Sequence, residues 1–194
     1  MDEIAPESSA VQEDQPTAVR VRVETSEDYA SVGEVVRHAF GQEEIVELVD
    51  RIRQSENFVP ELSLVAEANG KVVGHVLLSH VNLNDKGTSH SILTLSPVSV
   101  SPEVQGQGIG GALIKAAINK ADQLGEPLIV LEGDSRYYPR FGFQPSKRFG
   151  ITIHLPDWAP EEAGMVHPLS SYDPQVKGEV VYPPAFDLVN QDRA

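Results

Sequence analysis

The chain has 194 residues, 40% of them hydrophobic, so one domain can bury a real core without covalent staples. A net charge of −14 excludes the broad basic footprint of a general nucleic-acid binder, and no apolar run approaches the roughly 18 residues of a membrane span. With no cysteine there is no disulfide, thiolate metal site or cysteine nucleophile, which fits a reducing cytoplasmic setting.

The first seventeen residues carry Asp2, Glu3, Glu7, Glu13 and Asp14 and no lysine or arginine. They lack the basic and apolar regions of a signal peptide and read as a disordered acidic tail, 1–17. Val19 to Val23 alternates as a first strand. Thr25-Ser26-Glu27-Asp28 then gives a capping signal, with Val32, Val35, Val36 and Phe40 spaced on one helical face. Glu43 to Ile52 predicts a second helix, with Ile45, Leu48, Val49 and Ile52 inward. Ser63 to Glu67 and Val72 to His80 flank Asn69-Gly70, the strongest short hairpin signal. Ile92 to Val100 is the next strand.

After that strand, QGQGIGG (105–111) opens directly into an apolar-periodic helix ending at Leu124. A helix N-terminus with unpaired N–H groups is an anion site, and Gly106, Gly108, Gly110 and Gly111 lack the side chains that would hold a pyrophosphate away. Gly106, Gly108 and Gly111 also satisfy the dinucleotide spacing, and Glu132 falls near a ribose-binding position. Against that reading, Ser101 to Gln105 separates strand from glycines, and no long helical run follows Glu132. A P-loop is excluded because no Gly-Lys-Ser/Thr follows. Leu128 to Glu132 reads as a further strand. From Pro145 onward the chain holds seven of its fourteen prolines, which predicts only short strands near Ile151 to Ile153, Met165 to Val166 and Val180 to Tyr182.

Gln105-Gly106-Gln107-Gly108-Ile109-Gly110 resembles the Gln/Arg-x-x-Gly-x-Gly/Ala signature of the GNAT superfamily of N-acetyltransferases. One helix and one strand later, Tyr138-Pro139-Arg140-Phe141-Gly142-Phe143 resembles its Tyr-x-x-x-Gly-Phe motif, in the form YYPRFGF of an uncharacterised bacterial branch. The resemblance implies an α/β (α+β) fold with a mixed, mostly antiparallel central sheet flanked by helices, in the order β-α-α-β-β-β-α-β-α-β. By element order the resemblance covers roughly Val19 to Phe149; an acetyltransferase domain is expected over 18–155, with 156–194 as a C-terminal elaboration of the same domain. Acetyl-coenzyme A is the implied co-substrate and a small-molecule or protein amine the acceptor. Neither nucleic acid nor membrane is an expected partner, and a homodimer is one option for the assembly.

By the same resemblance, Val98, Ser99 and Val100 lie where backbone groups meet pantetheine, with the Val98 N–H polarising the thioester carbonyl. Gln105, Gly106, Gln107, Gly108, Ile109, Gly110 and Gly111 form the pyrophosphate loop. Tyr138 matches the tyrosine that protonates the departing thiolate and also contacts the cofactor; Tyr137 is expected to pack. Pro97 removes a ladder donor and suits a break in pairing. The strand before the loop, HSILTLSPVSV, carries no acid, so Glu132 and Asp134 are the nearest candidate general bases, with capping or solvated roles as the alternative. His75 and His80 are weaker candidates. The six histidines form no HExxH or His/Asp cluster, so no metal site is expected. Arg136, Arg140, Lys147 and Arg148, with Lys115 and Lys120, suggest a positive rim around the cofactor. A longer acyl-CoA donor, or a CoA-sensing module without turnover, remain the alternative functions.

Overall fold

A computed structural model describes residues 19–189 of the chain; the acidic segment 1–17 lies outside the described residues. Among the described residues nine strands form one sheet: β1 (Arg20–Val23), β2 (Phe58–Ala68), β3 (Lys71–Asp85), β4 (Thr88–Val100), β5 (Leu128–Glu132), β6 (Gln144–Pro145), β7 (Ile151–Thr152), β8 (Gly164–Pro168) and β9 (Gly178–Val181). The main order is β1-β2-β3-β4-β5-β8-β6, with β9 on the far end of β3 and β7 beside β9. Neighbours are antiparallel except β4–β5 and β7–β9. Helices α1 (Tyr29–Phe40) and α2 (Glu43–Arg53) pack on one face and α3 (Ile109–Gln123) on the other.

Strand alternation sorts the core into two layers. Leu128 and Val130 join Val36, Leu48 and Ile52 on the α1–α2 side, whereas Ile129 and Leu131 meet Leu113, Ile114 and Ala117 of α3. At Gly74 a Cβ would lie 2.9 Å from Leu113 Cδ1 and 3.2 Å from the Ser99 carbonyl, so only glycine admits α3 this close to β3. Phe40, expected inward, closes α1 and is 41% exposed, because Gly41 turns left-handed (φ 68) before another turn can cover it.

The Asn69-Gly70 turn forms as expected, with both residues at positive φ. Lys86 (φ 48) and Gly87 (φ 88) make a second two-residue turn, so β3 and β4 run longer than their apolar stretches suggest. The fourth helix implied by the family order is absent among the described residues. Pro139 starts and Gly142 (φ 89) stops a single 3-10 turn at Tyr138–Phe141. The proline-rich C-terminal region is woven into the sheet: β8 pairs along all of β5, and β9 pairs with Asn82 to Asn84 of β3. Pro168 stands at the last position of β8.

A polar unit crosses the α2 face. Arg53 donates to both oxygens of Glu24, at 3.1 and 2.6 Å, with side chains 5% and 2% exposed. His75 lies beside them, its Nε2 3.0 Å from Ser63 Oγ. Burial, with Arg53 nearby, pushes the His75 imidazole down to about 3, so it is neutral. It belongs to the core, not to a catalytic cleft. His80 pairs with Glu126 at 2.9 Å.

Candidate active site

Strands β4 and β5 pair only at Leu93↔Ile129 and Thr94↔Val130, then part. At the same level Ser96 and Pro97, joined by a cis peptide, oppose one residue of β3, because the register steps from Leu78↔Leu95 to Val76↔Val98. The break expected at Pro97 is thus a β-bulge where β5 leaves. Beyond it opens a cleft of about 730 Å³ lined by Val98 and Val100, the glycine loop, Lys115, Tyr137 and Arg140.

Gly108 (φ 84) starts α3, and the first intrahelical bond runs from the Ala112 N–H to its carbonyl at 3.0 Å. The N–H groups of Ile109, Gly110 and Gly111 therefore face the cleft end of the helix without intrahelical acceptors, and no side chain caps them. A Cβ at Gly106 or Gly108 would project into open space, and both residues have the positive φ that favours glycine. At Gly110 a Cβ would come within 3.3 Å of the Tyr137 hydroxyl. A pyrophosphate fits this cradle: bare N–H groups, a helix dipole, and two cations at the rim.

The sequence-derived residues divide. Val98, Val100, Gln105, Gly106, Gly108, Ile109, Gly110 and Gly111 converge on the cleft. Gln105 also donates to the Val100 carbonyl at 3.0 Å, closing the loop onto its strand. Gln107 is exposed and outside the cleft lining, and the buried Ser99 side chain points the other way, toward the His75 carbonyl. The positive rim shrinks to Lys115 and Arg140. Arg136 is paired with Asp134, Lys147 with Glu161, and Arg148 donates to Gln144.

Tyr137 does more than pack: it lines the cleft, under the Arg140 guanidinium at 4.7 Å. Tyr138 meets the Tyr137 ring edge-on at 5.2 Å and stands on Gly133, where a Cβ would be 2.3 Å from its ring. Burial, reinforced by Tyr137, pushes the Tyr138 phenol up to about 12. Glu132 ends β5 and accepts a 2.9 Å hydrogen bond from Tyr182. It borders a small cavity of about 190 Å³ with Thr94 and Ser96, and a larger one of about 660 Å³ with Gly133, Asp134 and Trp158. Asp134 is occupied. Arg136 donates to both its oxygens at 3.0 Å, and these bonds hold its carboxyl below the usual range. Sequence reasoning missed Tyr182 and Trp158; the latter is the single tryptophan, set in the proline-flanked LPDWAP. Among the described residues no group of three His, Asp or Glu is arranged to hold a metal.

Residues 20–146 match the model of the acetyltransferase (GNAT) domain. The chain belongs to the GNAT acetyltransferase family. It is 36% identical over 118 residues to the uncharacterized N-acetyltransferase YjhQ of Escherichia coli K12, a match covering 61% of this chain and 65% of that protein. Two solved GNAT structures share its fold closely. The Escherichia coli N-acetyltransferase YhbS in complex with CoA is 26% identical with a TM-score of 0.80, covering 90% of this chain and 94% of that one. A Brucella melitensis GNAT acetyltransferase in complex with acetyl-CoA is 31% identical with a TM-score of 0.71, covering 88% and 99%. The mixed, mostly antiparallel sheet and its flanking helices are those of the GNAT fold.

Proposed function

We propose that this GNAT protein transfers the acetyl group of acetyl-CoA directly to a primary amine. The observation that carries the reading is the β4–β5 parting, with the glycine cradle on one side and Glu132 at the end of the opposite strand. The CoA and acetyl-CoA bound by the two solved relatives support the choice of co-substrate.

Acetyl-CoA supplies an acetyl group activated as a thioester. The α3 N-terminus, Lys115 and Arg140 would hold its pyrophosphate, and the backbone of Val98 and Val100 its pantetheine. The Val98 N–H donates to the carbonyl oxygen as that oxygen gains charge, a contribution of about 10²–10³ in rate for such donors. Only a neutral amine can attack. Glu132, which ends β5 at the parting and accepts a hydrogen bond from Tyr182, takes its proton. Tyr138 donates from its hydroxyl to the departing sulfur. A phenol raised to about 12 is a weaker acid than a free thiol, near ~8.5, so it acts first as a hydrogen-bond donor. The balance closes with one proton lost by the amine and one gained by the thiol.

Calorimetric titration with acetyl-CoA and thiol release measured against an amine panel test the proposal. Saturable binding with amine-dependent thiol release is expected. Binding without release would favour the CoA-sensing alternative, and faster release from longer acyl-CoAs the broader acyltransferase.

A further inference from the structure

We infer that Ser96 holds the attacking amine from the β4 side of the parting, opposite Glu132, and that this arrangement selects a primary over a secondary alkylamine. The inference rests on the transfer reading above and adds the residue that orients and screens the acceptor.

Register places the two residues. Strands β4 and β5 run parallel, and Thr94 beside Val130 is their last pair. Two residues further along each strand, Ser96 and Glu132 stand opposite one another where the strands separate, and both line the cavity of about 190 Å³ with Thr94. The bulge at Ser96-Pro97 connects this cavity to the cofactor cleft. Before it, Ile92 faces the α1–α2 core layer while Leu93 and Leu95 face α3; after it, Val98 and Val100 face α3. Even-numbered positions thus change face at the bulge. One strand walls the cavity on its α2 side and, two residues later, the cleft on its α3 side. A thioester carbonyl at the Val98 N–H therefore lies two residues from Ser96.

The cavity is polar where a core layer should not be. Thr94 is 1% exposed and lies opposite Ser79 of β3, whose buried hydroxyl has no hydrogen-bond partner among the described residues. Beside Leu48, Val81, Ile92 and Val130, an unpaired buried hydroxyl adds nothing to stability. With Ser96, these hydroxyls form a polar strip leading to the parting, while Ile45, Leu48 and Phe186 supply an apolar wall. An alkyl stem suits that wall and its nitrogen the strip.

A neutral primary amine has two N–H groups and one lone pair. With one N–H donated to Ser96 Oγ and the other to Glu132, the lone pair is left to meet the thioester carbon. A carboxylate has about four acceptor sites, enough for the Tyr182 hydroxyl and the amine together. As the N–C bond forms and the C–S bond breaks, Glu132 takes its N–H proton, and the N–H held by Ser96 becomes that of the amide. A secondary amine has a single N–H, which the base must take, so nothing remains for Ser96.

Thiol release from acetyl-CoA by the full-length protein tests this with n-butylamine and N-methylbutylamine, two amines of similar basicity. The wild type should favour n-butylamine in kcat/KM by about tenfold or more, the scale of one hydrogen bond made by only one of the two. Ser96→Ala should lower kcat/KM for n-butylamine by about that factor and leave N-methylbutylamine unchanged, so the preference collapses, with acetyl-CoA affinity by calorimetry unmoved. A merely structural serine would lower both amines together. Equal use of the two amines by the wild type, a preference that survives in Ser96→Ala, or release with other amines but none with n-butylamine would overturn the inference and leave acetyl transfer standing. No thiol release with any amine would instead overturn the transfer reading, and this role with it.

Discussion

Replacing Tyr138 by phenylalanine removes one oxygen and leaves the ring in place. Its contacts with Gly133, Phe143 (5.8 Å) and Tyr137 (5.2 Å) involve ring atoms and survive the change. Stability should therefore move by less than about 1 kcal/mol, within the usual range for a substitution that opens no cavity. Activity should not be spared. A positioned proton donor contributes about 10²–10⁴ in rate, or about 2.7–5.5 kcal/mol of barrier. The loss should appear in kcat, with acetyl-CoA affinity nearly unchanged, since the ring and its packing stay and the hydroxyl acts on the departing sulfur. Steady-state thiol release and calorimetry on the same preparation measure both quantities. A phenol near 12 stays protonated through the working range, so an alkaline fall in wild-type kcat below about pH 10 must come from another group. Tyr137→Phe is the contrasting variant: its hydroxyl faces Gly110, so it should raise the acetyl-CoA KM and spare kcat. Equal kcat losses in both variants, or a loss under tenfold in Tyr138→Phe, would refute the assignment.

Gly110→Val should lower CoA affinity at least about 100-fold by calorimetry, because its side chain fills the cradle between Tyr137 and Val100. NADH should not titrate; unchanged CoA affinity in a folded Gly110→Val variant removes the loop from the site. His75 and His167 are both pushed below the ordinary histidine value by burial, so the unfolded chain binds their protons first. Stability should be full above about pH 6.5 and fall below it, by about 1.4 kcal/mol per pH unit for each proton, and His75→Gln should flatten that slope in denaturant titrations. Arg53→Met leaves Glu24 buried without its cation and should cost about 3–5 kcal/mol, whereas the double variant with Glu24→Leu should recover much of it.

The parts of this molecule that obey local rules could be read from the chain. Asn69-Gly70 forms its turn, Leu128 to Glu132 its buried strand, and the four glycines open a helix, because each depends on a few adjacent residues. Errors arose where a local pattern was too short or too polar to register. Lys86-Gly87 sits in a hydrophilic stretch, so the extension of β3 and β4 was missed. YYPRFGF carries helical spacing for only one turn before Gly142 stops it. The acceptor side was least legible. Glu132 meets Tyr182 only through the path of β5 and β9, and nothing local to LPDWAP announces that Trp158 lines a cavity with the end of β5. Arg136 looked free in sequence because its partner lies two residues away in an exposed turn whose geometry composition does not encode.

A sheet stitched at its middle by only two residue pairs is mechanically two leaves, β1–β4 and β5–β8–β6. Such a seam is the natural place for low-energy local opening, since few ladder bonds must break. A ligand wedged into the parting bridges both leaves and adds stability by mass action, about 2.7 kcal/mol at one hundred times its dissociation constant. Amide exchange along Leu95 to Val100 and Leu131 to Asp134 should slow together when CoA binds, more than anywhere in β2 or β3. A filled cleft would then tie the two leaves together across a seam that the backbone alone closes with two pairs.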